Sequence, residues 1–565
     1  MPAAPTSLFA AVPGVPPILA QLLYNRGLLD GAPASPDALD RFLNPRWATG
    51  LHDPFLLKDM DRAVERTLAA IERREPIGIF GHYDADGITA MVVLTETLTR
   101  LGAHAVPYLP RRADDYGVHQ TGIGELAAQG VRLLVTVDCG IRSFGAPETA
   151  AQAGMDVIVT DHHTVLRRDG RDRLPPALAV VNPLRADCPY PCKSLAGVGL
   201  AFKLAQALLR AHADRTGNGE THFAKWLLDL VCIGTIADVV DITGENRTLV
   251  RLGLEILRQT KRPGLKTLMG VAGTNVGSLS VGAVGFQIAP RINAAARMES
   301  PETSLALLRA RDRAEAEPFA RELDQLNRQR QRLTEEAMQD VLERYGDRLT
   351  ERKAIVATGR WPGGILGLVA GKLCEEHRRP AAVIEVGRDE LHGSARSPAS
   401  FHIANALAQC EDLLSRYGGH AQAAGFSLPA ANLEAFTERL TELADAHIPE
   451  ADLEPVISVD ALVEPAQVGA DLLSNARALE PCGPGNPAPV FGMRRVPLLQ
   501  AQAMGPRGAH LRLRLGAPDR PLKAVFWRMG ALVEQLPAGA PVDVAFSLEK
   551  DPYSGLSLNL VDIGW

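Results

Sequence analysis

IGIFGHYDADGIT, residues 77–89, opens as a short β-branched-rich strand, turns at Gly81 and leads into a run that reads as a helix from Thr89 to Leu101. The same grammar recurs downstream. VRLLVTVD (131–138), MDVIVTD (155–161) and LAVVN (178–182) are apolar without alternation, as strands buried on both faces are. Strands of this kind separated by helical stretches predict an α/β domain with a mostly parallel sheet and crossover helices. The first three of these strands also end in acid or histidine. Asp84 and Asp86 follow the first, Asp138 the second, and Asp161-His162-His163 the third. A later GTIADVVD carries Asp238 and Asp241.

Working outward, 565 residues make about three or four domains. Residues 1–55 read as an N-terminal helical region, 56–300 as the α/β domain, and 301–350 as a charged connector helix that Pro318 should break or kink. The connector has a thin apolar stripe, so a solvated strut is expected. Residues 351–450 form a second α/β unit, with strands at 354–359 and 381–386 and helices at 364–377 and 402–416. From 455 to 565 short alternating strands punctuated by Gly and Pro predict a small β-barrel.

Composition narrows the classes. Lys+Arg total 60 against 66 Asp+Glu, a formal net charge of -6, so no whole-chain basic field exists. Of the basic residues 50 are Arg, the better bidentate partner for phosphate. No run of about 18 apolar residues predicts a membrane span, and the Pro-rich start makes a poor signal peptide. Cys188 and Cys192 are the only close cysteine pair, which fits reduced thiols and a cytoplasmic setting better than structural zinc.

In an open parallel sheet ligands bind beyond the carboxyl ends of the strands, so these acids and histidines have a reason to converge. Carboxylates sharing a cleft repel, and divalent cations relieve the repulsion. A set of carboxylates with histidine and no cysteine suits Mn²⁺ or Mg²⁺. Two such ions about 3.5–4 Å apart activate water and clamp a phosphoryl group, so phosphodiester hydrolysis is the expected chemistry. Taken singly, each segment reads as an ordinary turn or helix cap. Four in order do not.

GHYDADG, VTVDCG, DHH and GTIAD, in that order, resemble the motifs of the DHH phosphoesterase superfamily, and GSARS (393–397) with GGHAQAAG (418–425) resembles its DHHA1 domain. PRINAAARM (290–298), the connector, and EPCGPGNPAPVF (480–491) ahead of a barrel resemble the RecJ branch of single-strand-specific DNA exonucleases. The resemblance implies a two-lobed DHH/DHHA1 fold with a C-terminal OB-like barrel. It implies two divalent cations, Mn²⁺ or Mg²⁺, and 5′→3′ release of mononucleotides from single-stranded DNA in recombination and repair. It implies Asp84, Asp86, Asp138, His162, His163 and Asp238 as catalytic metal ligands, with Asp138 bridging. Ser394 and Arg396 match residues holding a 5′-phosphate, Arg291 and Asn293 a polar stretch near the scissile bond, and His420 a substrate contact. The implied partners are single-stranded DNA, a single-strand-binding protein and a helicase, with a monomeric chain and no membrane.

The chain departs from the pattern at four places. His82 stands where the family usually has Asp, Ala296 where Gly is usual, and Pro362 where His is usual. A Pro-x-Arg…Gly-Tyr-Gly stretch is one residue short. Aligning on Pro110 selects Arg112, and aligning on Tyr116-Gly117 selects Arg111. In the barrel, Arg507, Arg512, Arg514, Arg520, Lys523 and Arg528 against Asp519, with Phe526 and Trp527 among them, fit a single-strand surface on which one aromatic stacks. Two rival readings are a DHH enzyme for short oligonucleotides, cyclic dinucleotides or pyrophosphate, and a non-catalytic nucleic-acid scaffold.

Overall fold

The computed structural model describes all residues except 6–13, 30–35, 112–116, 218–221, 388, 537–538 and 551–554. The chain divides into two compact units, one of residues 53–238 and 253–456, the other of 1–52, 239–252 and 457–565.

In the first unit β1 (Ile77–Phe80), β2 (Ala105–Tyr108), β3 (Leu133–Val137), β4 (Asp156–Thr160) and β5 (Ala179–Val181) form one parallel sheet in the order β2-β1-β3-β4-β5. The chain steps to one side of β1 to make β2 and to the other to make β3. The topological switch therefore lies between β1 and β3, where an α/β sheet opens a crevice for ligand. Phe80 pairs with Thr136 and Val137 with Thr160, so the acidic segments leave the sheet level with one another. The edge strand β2 escapes the sequence reading. Its AVPY holds Pro107, which an edge position tolerates. Over the sheet, helices α1 (Ala85–Arg100), α2 (Gly197–Thr216) and α3 (Leu228–Ala237) pack on one another.

Helix α4 (Ala289–Met298) follows, then the connector α5 (Arg313–Tyr345). Pro318 lies inside α5 and does not end it. The break falls at 310–312, where Asp312 accepts the Glu315 N–H at 2.9 Å and starts the helix afresh. Pro318 is exposed, and its cost of about 3 kcal/mol is offset by burial of Ala316, Ala320 and Leu323 elsewhere on the same stretch of helix. Nor is α5 a free strut. Its first half packs on α4, and Ala337, Met338 and Val341 enter the core of the second lobe.

That lobe carries β6 (Ile355–Gly359), α6 (Gly363–His377), β7 (Ala381–Glu385), β8 (Glu390–Arg396), β9 (Arg416–Gly419) and β10 (Ala423–Pro429), in the sheet order β9-β10-β8-β7-β6. The helix expected over 402–416 is confined to Ile403–Ala408, and Arg416 already begins β9. GGHAQAAG is accordingly a hairpin rather than a turn into a helix. At Gly419, φ is 153° and a Cβ would sit 2.3 Å from the Ala423 carbonyl, so the hairpin accepts only glycine there.

In the second unit β11 (Phe491–Met504), β12 (His510–Ala517), β13 (Arg520–Phe526), β14 (Pro541–Glu549) and β15 (Ser557–Gly564) close into a barrel through a β11–β14 pairing. The N-terminal residues are not a separate body. Leu19, Leu22 and Leu23 share the barrel core with Phe491 and Phe546. Arg247 fastens the assembly. Its buried guanidinium lies 3.9 Å over the Phe42 ring and donates to the carbonyls of Phe42, Leu479, Glu480 and Pro481 at 2.7–3.0 Å. With no carboxylate among these partners, burial pulls it down to about 10. The EPCGPGNP segment thus displays a row of carbonyls to one buried cation.

Candidate metal centre and substrate contacts

The centre is built at the switch point. Asp84 caps α1, accepting the Gly87 N–H at 3.0 Å. Asp86, in the first turn, turns inward and accepts the N–H groups of Gly197 and Val198 at 2.7 and 2.8 Å, so the start of α2 fixes its rotamer. Asp138 adopts φ 61°, a left-handed conformation that Asp tolerates better than most residues. This bend sends its side chain into the crevice instead of along the sheet. It fits only because residue 197 is Gly: a Cβ there would lie 2.5 Å from that of Asp138.

Around Asp138 the ligand atoms close in. His162 Nε2 lies 3.1 Å from Asp138 Oδ1 and 3.6 Å from Asp238 Oδ2. His82 Nδ1 lies 3.0 Å from Asp84 Oδ2 and 3.7 Å from Asp138 Oδ2. Three groups each offer ligand atoms within 4.8 Å of one another: His82, Asp84 and Asp138; Asp86, His162 and Asp238; and Asp138, His162 and His163. All six expected acids and histidines therefore meet in one place. His82, noted in the sequence only as a departure, joins them; its spacing, two residues before Asp84, was the available signal. Asp161 was also passed over. It accepts from His163 Nδ1 at 2.7 Å, from the His163 N–H at 3.0 Å and from the Ile141 N–H at 2.9 Å, which fixes the imidazole's orientation.

The electrostatics are those of a cation site. Burial raises Asp86 to about 7, with Asp84 adding to it. Burial and the neighbouring carboxylates hold Asp138 and Asp238 well above the usual range. Burial works against Asp84 as well, yet His82 holds it well below. Burial lowers His162 to about 4, leaving a neutral imidazole suited to ligation. His163 is raised against burial by Asp161. Asp138 Oδ1 and His162 Nε2 are buried with no hydrogen-bond partner although they face each other at 3.1 Å. A divalent cation satisfies both atoms and removes the repulsion, so the residues fit the ions. Cys139 takes no part: burial pushes its thiol up, and it donates to the Phe80 carbonyl.

The expected substrate residues divide. On β8, Arg396 Nη1 lies 3.2 Å from Ser394 Oγ, and a Cβ at Gly367 of α6 would be 3.0 Å from both side chains, so they form a small polar pocket over the helix. His420, at the hairpin tip, stacks on His163 with centroids 5.3 Å apart, bringing the second lobe to the centre. Asn293 Oδ1 accepts the Ala85 N–H at 2.8 Å and so holds the turn carrying Asp84. Arg291 does not reach the cluster. Asp324 of α5 takes its guanidinium at 2.8 and 3.0 Å, and a third donor goes to the Gln287 carbonyl. Arg111 is exposed just beyond β2, while Arg112 and Tyr116 lie outside the described residues. Pro362 leads into α6 as its N-cap residue.

On the barrel, a groove of about 780 Å³ is lined by Arg512, Arg514, Lys523, Trp527 and Lys550, with Glu549 at its side. Phe526 is core, whereas Trp527 is 51% exposed and packed edge-on to His510. The alternation that buries one aromatic exposes the other.

A parallel sheet with a carboxylate–histidine centre at its switch point, joined to a second lobe bearing a Ser–Arg pocket, defines a DHH-type phosphoesterase. The DHH family N-terminal domain matches residues 76–235, the DHHA1 domain 351–446 and the RecJ OB domain 459–560. The chain belongs to the RecJ family. It is 33% identical over 577 residues to the single-stranded-DNA-specific exonuclease RecJ of Dickeya dadantii, covering 98% of this chain and 96% of that protein. It is 36% identical over 537 residues to that of Bacillus subtilis, covering 94% of this chain and 65% of the relative's length. The crystal structure of RecJ from Thermus thermophilus in complex with Mn²⁺ superposes with a TM-score of 0.83 at 32% identity, covering all of this chain and 79% of that one. The corresponding Mg²⁺ complex gives 0.78 at 31%, covering all of this chain and 78% of that one.

Proposed function

We propose that the chain is a metal-dependent exonuclease that degrades single-stranded DNA from the 5′ end, releasing mononucleotides. The observation that carries this is a pair of adjoining ligand groups, His82, Asp84 and Asp138 in one and Asp86, His162 and Asp238 in the other, linked by the 3.1 Å approach of His162 to Asp138. In this reading each group would hold one divalent cation, with the Asp138 carboxylate available to both. Such a pair supplies an activated water and neutralises charge on the phosphoryl oxygens. The chain's own residues do the rest. Asp161 fixes His163, and His163 with His420 forms a stacked imidazole wall at the edge of the centre. Ser394 and Arg396 receive the 5′-phosphate, Arg396 as the planar donor suited to it. Trp527 and the Arg512, Arg514 and Lys523 cations of the barrel groove receive unpaired bases and backbone. A barrel groove of this kind favours long strands over dinucleotides.

The reading extends to a monomer acting in the cytoplasm in recombination and repair, beside a helicase and a single-strand-binding protein. Among the described residues no helix is long and apolar enough to cross a membrane. The test is degradation of single-stranded DNA labelled at either end, with Mn²⁺ or Mg²⁺. Immediate release of the 5′ label as a mononucleotide, with the 3′ label last, is expected. Equal turnover of dinucleotides and long strands would replace the reading with a small-substrate phosphodiesterase.

A further inference from the structure

Phe286 is 83% exposed, the most exposed large hydrophobic side chain among the described residues. Single exposed apolar residues are common, so its surroundings matter more than its exposure. Three other exposed aromatics are partly covered. Arg210 lies over Phe55, Lys261 over Trp226, and His510 backs Trp527. Among the described residues no ring or cation covers Phe286.

Its backbone is unusual as well. Residues Val284–Ile288 form a π-helical turn leading directly into α4. Wide turns of this kind are rare and recur at functional sites. Here the turn is braced: the Arg291 guanidinium donates to the Gln287 carbonyl at 2.6 Å and is itself held by Asp324. Beside Phe286 the surface is kept low by Gly282 and Gly285. A Cβ on Gly285 would meet only Ile236, at 3.6 Å, and Ile236 stands two residues before Asp238.

The turn adjoins segments that carry the metal centre: Gly285 faces Ile236, two residues before Asp238, and α4, into which the turn leads, carries Asn293, which holds the turn bearing Asp84. Arg291 is about 200° away from Asn293 and faces the connector instead. A flat, bare, braced aromatic beside a phosphodiester-cleaving centre matches one occupant, an unstacked nucleobase.

We propose that Phe286 is a base-stacking platform that selects unpaired nucleotides for the metal centre. This rests on the single-strand reading above. A base within a duplex has both faces stacked and cannot lie on the ring, which adds a chemical filter to any steric one.

The test uses the full chain in EDTA, so that no strand is cleaved, with fluorescence anisotropy of 5′-phosphorylated dT oligomers. Aromatic stacking carries about 1–3 kcal/mol per base, so Phe286→Ala should weaken binding about 5- to 150-fold. Phe286→Trp should restore it, with its fluorescence quenched on binding. An abasic site walked along the oligomer should weaken wild-type binding at one position more than it weakens Phe286→Ala. The melting temperature should not move, because the side chain is exposed. If wild type binds and Phe286→Ala binds as well, or the two abasic profiles coincide, the inference is wrong. If wild type holds no single strand, the functional reading fails and takes this inference with it.

Discussion

Stripping the metals should leave a protein whose stability carries the signature of one carboxylate, and Asp86→Asn isolates it. Asp86 titrates at about 7 in the folded chain because it is buried beside Asp84; an unfolded Asp titrates at about 3.9. A carboxylate raised on folding contributes stability that is complete below the unfolded value and is lost as pH rises through the folded one. Between pH 4 and 7 the folded state keeps a proton that the unfolded state has released. The loss is about 1.4 kcal/mol per pH unit, about 4 kcal/mol across the window. His162 runs the other way, since its fall to about 4 makes stability rise with pH up to its unfolded value. The wild-type profile is therefore a sum, and the difference between wild type and Asp86→Asn is the informative quantity. In the variant one of the Gly197 and Val198 N–H groups faces an amide donor, costing about 1–3 kcal/mol at every pH. The variant should be the less stable near pH 4.5 and should gain about 3 kcal/mol on wild type by pH 8. The assay is urea unfolding in EDTA at half-unit pH steps. Added Mn²⁺ should stabilise wild type most at high pH, because the cation takes the place of the proton. Parallel profiles for the two proteins in EDTA would refute the assignment of Asp86 as a buried member of a charge-crowded cation site.

Three further outcomes are expected. His82→Asp replaces a nitrogen ligand by a carboxylate, so calorimetric titration should show the Mn²⁺ over Mg²⁺ preference falling; an unchanged ratio would place His82 outside the ligand set. Arg396→Ala should slow use of 5′-phosphorylated strands more than 5′-hydroxyl strands while metal affinity holds; equal losses on the two ends would remove it from the phosphate pocket. Neutralising Arg512, Arg514 and Lys523 together should flatten the salt dependence of strand binding by about 2 in log–log slope, at about 0.7 per phosphate contact; an unchanged slope would make the groove structural.

Strands and acids at strand ends were readable because both are local properties. A both-face-buried strand announces itself by unbroken apolar residues, and a carboxyl-end position needs only the next residue. What escaped depends on partners far along the chain. That Arg291 pairs with Asp324, on another helix, is nowhere written in the PRINAAARM segment's neighbours. His82 looks like a local substitution until β3 brings Asp138 within 3.7 Å. Helical propensity favoured 402–416, yet pairing of Arg416–Gly419 with β10 overrode it. The thin stripe of α5 suggested solvent, yet Ala337, Met338 and Val341 are enough to join a core with Ile365, Val369 and Leu373 of α6. The N-terminal leucines join a barrel more than four hundred residues away, which no periodicity reports.

The proposed chemistry needs two cations that share Asp138. Mn²⁺ titration followed by electron paramagnetic resonance measures this directly. Two ions per chain with an exchange-coupled spectrum are predicted, and in Asp138→Asn the coupling should vanish with at least one ion lost. A single ion, or two uncoupled ions that survive Asp138→Asn, would contradict it.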